Sequence, residues 1–214
     1  TDPSSFIAEG VIEAAKVAVK WALGAERLEG LSFAVQGLGK AGQRIVELLC
    51  RSGAKVIACD IDKEKAASVS SRFSVKIVSP EEIYDAEAEV FMPCAVSGVL
   101  NRRTIPRLKC KVVVGAANEQ LESKDQAKEL FSRNILYIPD FVANAGGLIA
   151  LACELEENGC DVELVKRQIK AIGTRVLMLL ELAERQGLTP YEAARNYVRE
   201  RIGTVKQALS RLNG

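Results

Sequence analysis

Histidine is absent from this sequence. Its absence removes Ser-His and Cys-His nucleophile systems, histidine-ligated metal sites and any hydride transfer that uses a histidine acid or base. Chemistry has to come from backbone, carboxylates, lysines, amides or a cofactor. Long apolar runs are missing too. The best candidate, VFMPCAVSGVL, is broken by Pro93 and Gly98 and falls short of the roughly 18 residues of a membrane-spanning helix. The opening TDPSSFIAEG is polar and carries acids, unlike a secretory leader. Charge imbalance is also lacking. With 29 Lys and Arg against 28 Asp and Glu the formal net charge is +1, which gives no electrostatic reason to expect nucleic acid or a membrane as partner. Six cysteines show no C-x-x-C and no paired spacing. They read as reduced thiols, many of them small apolar fillers, in a cytoplasmic protein. Cys153 and Cys160 share a helix face at i, i+7, which core packing explains.

What is present is an alternation of short apolar strands with helices, the pattern of a parallel sheet covered on both faces. Asp2 and Pro3 read as N-cap and first position of an Ala-rich helix ending near Leu23, and Gly24 and Gly30 bracket the next turn. LSFAVQ (31–36) is a first buried strand, GKAGQRIVELLCRSG carries a helix, and KVIACD (55–60) is the second strand. The helix KEKAASVSSRF, a weak strand VKIV, and strands at AEVFMPC, KVVVGAA and ILYIPD follow. Capping boxes at Ser79, Ser123 and Thr189 open helices. Beyond Gly147 the chain reads as wholly helical, with Val162, Val165, Ile169, Ile172, Val176 and Leu179 on one apolar stripe. The expected fold is therefore α/β, a doubly wound parallel sheet of Rossmann type. No repeat or linker divides it, so a single domain is expected: a leading helix (1–24), a six-strand core (31–140) and C-terminal helices (145–214).

The segment FAVQGLGKAGQRI sets Gly37, Gly39 and Gly42 in G-x-G-x-x-G register between a strand and a helix. Gly37 permits the tight turn, Gly39 lets backbone approach a pyrophosphate at the helix N-terminus, and Gly42 lets helix and strand pack closely. Asp60 ends the second strand 21 residues after Gly39, where a carboxylate can bind both hydroxyls of an adenosine ribose. Its charge repels a 2′-phosphate, which favours NAD over NADP, and the neighbouring Lys63 softens that preference. The alternative is a glycine turn beside a solvated aspartate.

VQGLGKAG, FMPCAVSGVLN, GAANEQL and PDFVANAGG occur in that order. Together they resemble the cofactor domain of the glutamate/leucine/phenylalanine/valine dehydrogenase family. The likeness runs over nearly the whole chain, through TPYEAARNYVRERI, and PCA and GAANEQL look most like the leucine, phenylalanine and valine branch. The resemblance implies that Gly37, Leu38, Gly39, Lys40, Ala41 and Gly42 hold the pyrophosphate, and that Asp60 and Ile61 meet the adenosine. Cys94 and Ala95 would line the cofactor cleft, Cys94 as a wall and not a nucleophile. Asn118 and Asn144 would reach the nicotinamide half, while Gly146 and Gly147 keep a helix start bare for cofactor and substrate. A plain Asn-Gly helix cap is the alternative. Leu148 and Leu151 occupy positions that face the substrate side chain in the family. Glutamate enzymes carry a small hydroxyl residue at the second of these, and a leucine there would strand a buried carboxylate, so an apolar amino acid is expected. Core packing of both leucines is the other reading.

Two departures accompany the resemblance. Family members show Thr-Ala-x-Gly-Val early in the first helix, where this chain reads Ile7-Ala8-Glu9-Gly10-Val11, and Ile7 has no hydroxyl to offer the nicotinamide. The family's catalytic lysine and aspartate belong to an N-terminal substrate domain that this sequence does not contain, so no catalytic residue is expected here. The implied parent is an NAD-dependent, homo-oligomeric enzyme that oxidises an L-amino acid to a 2-oxo acid and ammonia. A stand-alone nucleotide-binding or regulatory module without catalysis is the alternative.

Overall fold

The computed structural model describes residues 2–155 and 161–212. Its first helix, α1 (Ser4–Leu23), begins where Asp2 Oδ1 accepts the Ser4 N–H at 3.0 Å and Pro3 adopts helical torsions. It ends at Gly24, whose φ of 68° suits a residue without Cβ. Ala8, Val11, Ala14, Ala15, Ala18 and Val19 are buried along its inner face, and small side chains there let neighbouring backbones come close.

The chain then alternates as expected: β1 (Ser32–Gln36), α2 (Lys40–Arg51), β2 (Lys55–Cys59), α3 (Lys63–Arg72), β3 (Val75–Ile77), β4 (Val90–Pro93), β5 (Val112–Val113), α4 (Asp125–Ser132) and β6 (Leu136–Tyr137). Short helices α5 (Asp140–Ala143) and α6 (Gly146–Glu154) lead to the long α7 (Val162–Gln186) and α8 (Pro190–Leu212). The six strands lie in the order β3-β2-β1-β4-β5-β6, every neighbouring pair parallel. Along β1, Phe33 and Val35 enter the core shared with α1, α2 and α7, while Ala34 enters the core on the other face, the period-2 alternation of a strand covered on both sides. Chain order reverses between β1 and β4. In an open α/β sheet ligands bind at that reversal, beyond the strand C-termini.

Several expectations are adjusted. The last two strands are shorter than KVVVGAA and ILYIPD suggest, with β5 reduced to Val112–Val113. Val114 still donates to Phe91 O, but the next position on β4 is Pro93, which has no N–H to continue the ladder. The Ser79 capping box forms, with Ser79 and Glu82 bonded reciprocally, yet it opens only a 3-10 turn (Glu82–Asp85). Helix begins before the glycine pair ends: α5 precedes it, and Gly146 is the first residue of α6. On the α7 stripe Val165, Ile169, Ile172, Val176 and Leu179 are buried, whereas Val162 in the first turn is about half exposed. Cys50, Cys59, Cys94 and Cys110 carry free thiols. Cys153 is disulfide-bonded, contrary to the expectation of reduced thiols throughout. Cys160 lies outside the described residues.

Candidate functional site

The strand-to-helix corner forms from three glycines, two of them required by sterics and the third facing open space. Gly37 has φ 99°, and a Cβ there would sit 2.6 Å from the Ala95 Cβ. A Cβ on Gly42 would lie 2.0 Å from the Gly37 carbonyl oxygen, so α2 can rest on the loop only because that position is bare. A Cβ on Gly39 would meet nothing within 4 Å. This glycine faces open space at the N-cap of α2, and no side chain caps the helix there. The first-turn N–H groups of α2 therefore lack side-chain partners, which makes an anion site of the kind a pyrophosphate fills.

Asp60 holds this corner together. One carboxylate oxygen accepts the Leu38 N–H at 2.6 Å, and the other accepts the Asp62 N–H at 2.8 Å. From the opposite side, Gln43 Nε2 donates to Leu38 O at 2.9 Å. Leu38 thus anchors the loop by a fully buried side chain and a backbone bonded at both ends, and its amide is already committed. Asp60 is only half-buried, and a carboxylate has more lone pairs than these two bonds use. Ile61 beside it is 89% exposed. The Lys40 ammonium pairs with Asp2 at 3.1 Å. Across the reversal, Cys94 N–H donates to Gln36 O at 2.7 Å. Burial pushes the Cys94 thiol up to about 12, which makes it a poor nucleophile.

A second group of residues comes together beyond the C-termini of β5 and β6. A cleft of about 530 Å³ is lined by Ile7, Asn118, Asn144, Gly147, Leu148 and Leu151, among others. Asn144 Nδ2 donates to Asn118 Oδ1 at 2.8 Å, and more weakly to Ala116 O at 3.4 Å. With those groups spent, the pair still offers the Asn118 amide as donor and the Asn144 carbonyl as acceptor. Leu148 and Leu151 are 71% and 54% exposed, which overturns the core-packing reading. The glycine pair, in contrast, is bare for a reason remote in sequence. A Cβ on Gly146 would lie 2.0 Å from Phe6 O, and one on Gly147 would lie 2.8 Å from Ile7 Cγ1. These glycines admit α1, a steric role beyond the expected one, while Gly147 also lines the cleft.

Three contributors were not visible as site residues in the sequence. Gln43 and Asp140 brace loops, and Tyr84 receives the buried Gln36 side chain, Nε2 to Oη at 2.6 Å. Asp140 is almost buried. It accepts the Glu119 N–H at 2.6 Å and faces the Tyr137 hydroxyl at 3.3 Å. Burial first, then the charge of Asp140, pushes the Tyr137 phenol upward, so it stays protonated and can donate. Among the described residues no cluster of Cys, Asp and Glu could hold a metal ion, and no helix is long and apolar enough to cross a membrane.

Comparison with known proteins identifies the family. The profile of the Glutamate/Leucine/Phenylalanine/Valine dehydrogenase family matches residues 59–202. The chain belongs to that family. It is 40% identical over 209 residues to the leucine dehydrogenase of Thermoactinomyces intermedius, covering 98% of this chain and 57% of that protein. It is 39% identical over 198 residues to the phenylalanine dehydrogenase of Lysinibacillus sphaericus, covering 90% of this chain and 51% of that protein. The crystal structure of L-tryptophan dehydrogenase from Nostoc punctiforme superposes with a TM-score of 0.91 at 37% identity, covering 97% of this chain and 63% of that one. The chain thus spans between half and two thirds of the length of these relatives, and the likeness to the leucine and phenylalanine branch stands.

Proposed function

We propose that this chain is the NAD-binding part of an amino-acid dehydrogenase whose substrate is an apolar L-amino acid. The observation that carries the reading is the uncapped start of α2, with Gly39 facing open space and Asp60 beside it. In this reading the amides of Gly39, Lys40 and Ala41 take the pyrophosphate, and the remaining lone pairs of Asp60 take the adenosine ribose. Ile61, Cys94 and Ala95 form walls. Asn118 and Asn144 present one donor and one acceptor, the complement of a primary carboxamide such as that of nicotinamide. Bound there, NAD supplies a hydride acceptor for the amino-acid Cα–H, and hydrolysis of the resulting substrate imine yields a 2-oxo acid and ammonia. The chain's own contribution is to orient the acceptor and to bring Leu148 and Leu151 against the substrate side chain, where a carboxylate would go unpaired. The proton-transferring groups would come from the rest of the enzyme, which we propose assembles as a homo-oligomer. Domain limits of 1–24, 31–140 and 145–214 within one unit belong to the same reading.

Calorimetric titration tests it. NAD should bind at millimolar or lower concentration, more tightly than NADP, and Asp60→Ala should cost NAD about tenfold and NADP much less. Equal losses for the two would refute the ribose assignment. An absence of NAD binding would refute the whole reading.

A further inference from the structure

Asp140 is the most buried carboxylate near the cleft, and no cation is paired with it among the described ion pairs. A buried charge is costly unless it is well hydrogen-bonded, so this one needs an explanation. Its partners lie at the join between two separate segments. Through the Glu119 N–H at 2.6 Å it grips the loop after β5, while its own residue opens α5, which ends one position before Asn144. Glu119 itself adopts φ 50°, an unfavourable torsion for a residue with a side chain and one that persists only when its surroundings enforce it. Its carbonyl is held as well, accepting the Gly98 N–H at 2.8 Å. Asn118 is the residue immediately before Glu119, and it meets Asn144 at 2.8 Å. The carboxylate of Asp140 therefore fixes the relative placement of the two asparagines without touching the amides that face the cleft.

We propose that Asp140 is a positioning residue: by clamping the Glu119 amide it sets the Asn118–Asn144 pair in register to receive the nicotinamide half of the dinucleotide. The proposal rests on the NAD reading above and makes a claim that reading does not. The adenosine half is held by Gly39, α2 and Asp60 on other elements, so loss of the clamp should leave that half alone. ADP-ribose, which lacks nicotinamide, separates the two.

Binding of NAD and of ADP-ribose is measured by calorimetry for the 214-residue chain and its variants. Asp140→Ala should weaken NAD about tenfold and leave ADP-ribose within about twofold. Asp140→Asn keeps the shape and one acceptor but loses the charge assistance, and should weaken NAD about threefold, again with ADP-ribose unmoved. The second variant decides the matter if the first does not fold. Parallel losses for the two ligands, or NAD affinity unchanged in a folded variant, would overturn the proposal while leaving the NAD reading intact. Failure of the unsubstituted chain to bind either ligand would overturn both.

Discussion

At the scale of single residues, the three glycines of the α2 corner make different demands, and substitution separates them. Gly42→Ala drives a methyl into a backbone oxygen 2.0 Å away, which no rotamer can relieve, and should destabilise the fold by about 3 kcal/mol. Gly39→Ala meets open space and should cost at most about 1 kcal/mol, the penalty for alanine at an N-cap, yet lower NAD affinity about tenfold. Urea denaturation and calorimetry on the two variants check this, and the reverse ranking in either assay would contradict it. The steric roles of Gly37 and Gly42 could be read in the sequence because a strand, three glycines and a helix lie within about a dozen residues. Gly146 and Gly147 could not be read the same way. What excludes their Cβ atoms is Phe6 and Ile7, well over a hundred residues away in the chain, and no local pattern encodes that contact. Asp140 and Gln43 escaped for a related reason: each acts on a backbone group of a distant or neighbouring loop, and neither belongs to a motif defined by side-chain chemistry.

At the scale of elements, capping explains where several helices begin. The box at α8 is complete: Thr189 Oγ1 accepts the Glu192 N–H at 3.1 Å, and Glu192 Oε2 accepts the Thr189 N–H at 3.1 Å. Thr189→Ala should therefore cost about 1 kcal/mol at neutral pH. The Thr189 N–H first, and then its hydroxyl, which donates to Glu192 Oε2 at 2.9 Å, hold the Glu192 carboxyl below its ordinary value of 4.5; alanine keeps the N–H but loses the hydroxyl. A depressed carboxylate pKa contributes stability that is present above pH 4.5 and lost as pH falls below it. The gap between Thr189→Ala and the unsubstituted protein should accordingly narrow at pH 3 in urea titrations; a gap that is constant from pH 7 to pH 3 would argue against the box as its source. The sequence signal gave this start correctly because both partners sit in one turn. At Ser79 the same signal led only to a 3-10 turn, since the chain must reach β4 within a few residues. The end of β5 was overestimated because apolar character continues past Pro93's break in the β4–β5 ladder, and β6, which lies against β5, is short alongside it.

At the scale of the whole molecule, alternation implied a parallel sheet covered on both faces, whereas the order β3-β2-β1-β4-β5-β6 came only from the structure. The two-sided core that results buries Cys59 and Cys110, with thiols pushed up to about 11 and about 12 by desolvation. A raised thiol pKa contributes stability that is complete below the ordinary value of 9.0 and is lost as pH climbs through the folded value. Melting temperature should hold to about pH 9 and fall between there and pH 12, and Cys59→Ala with Cys110→Ala should flatten part of that fall. An unchanged alkaline slope in the double variant would assign the loss to other groups. What the sequence could not supply at this scale is how α1 packs: the helix docks over α6 and α7 through Gly10, Gly146 and Gly173, closing one side of the cleft with Ile7. In the function proposed for this chain, bare amides at the start of α2, with Asp60 beside them, hold an adenine dinucleotide. A crystal structure of the chain with NAD tests this most directly. We expect the pyrophosphate over Gly39 and Lys40 with the adenosine ribose on Asp60; a dinucleotide bound elsewhere, with that corner vacant, would contradict it.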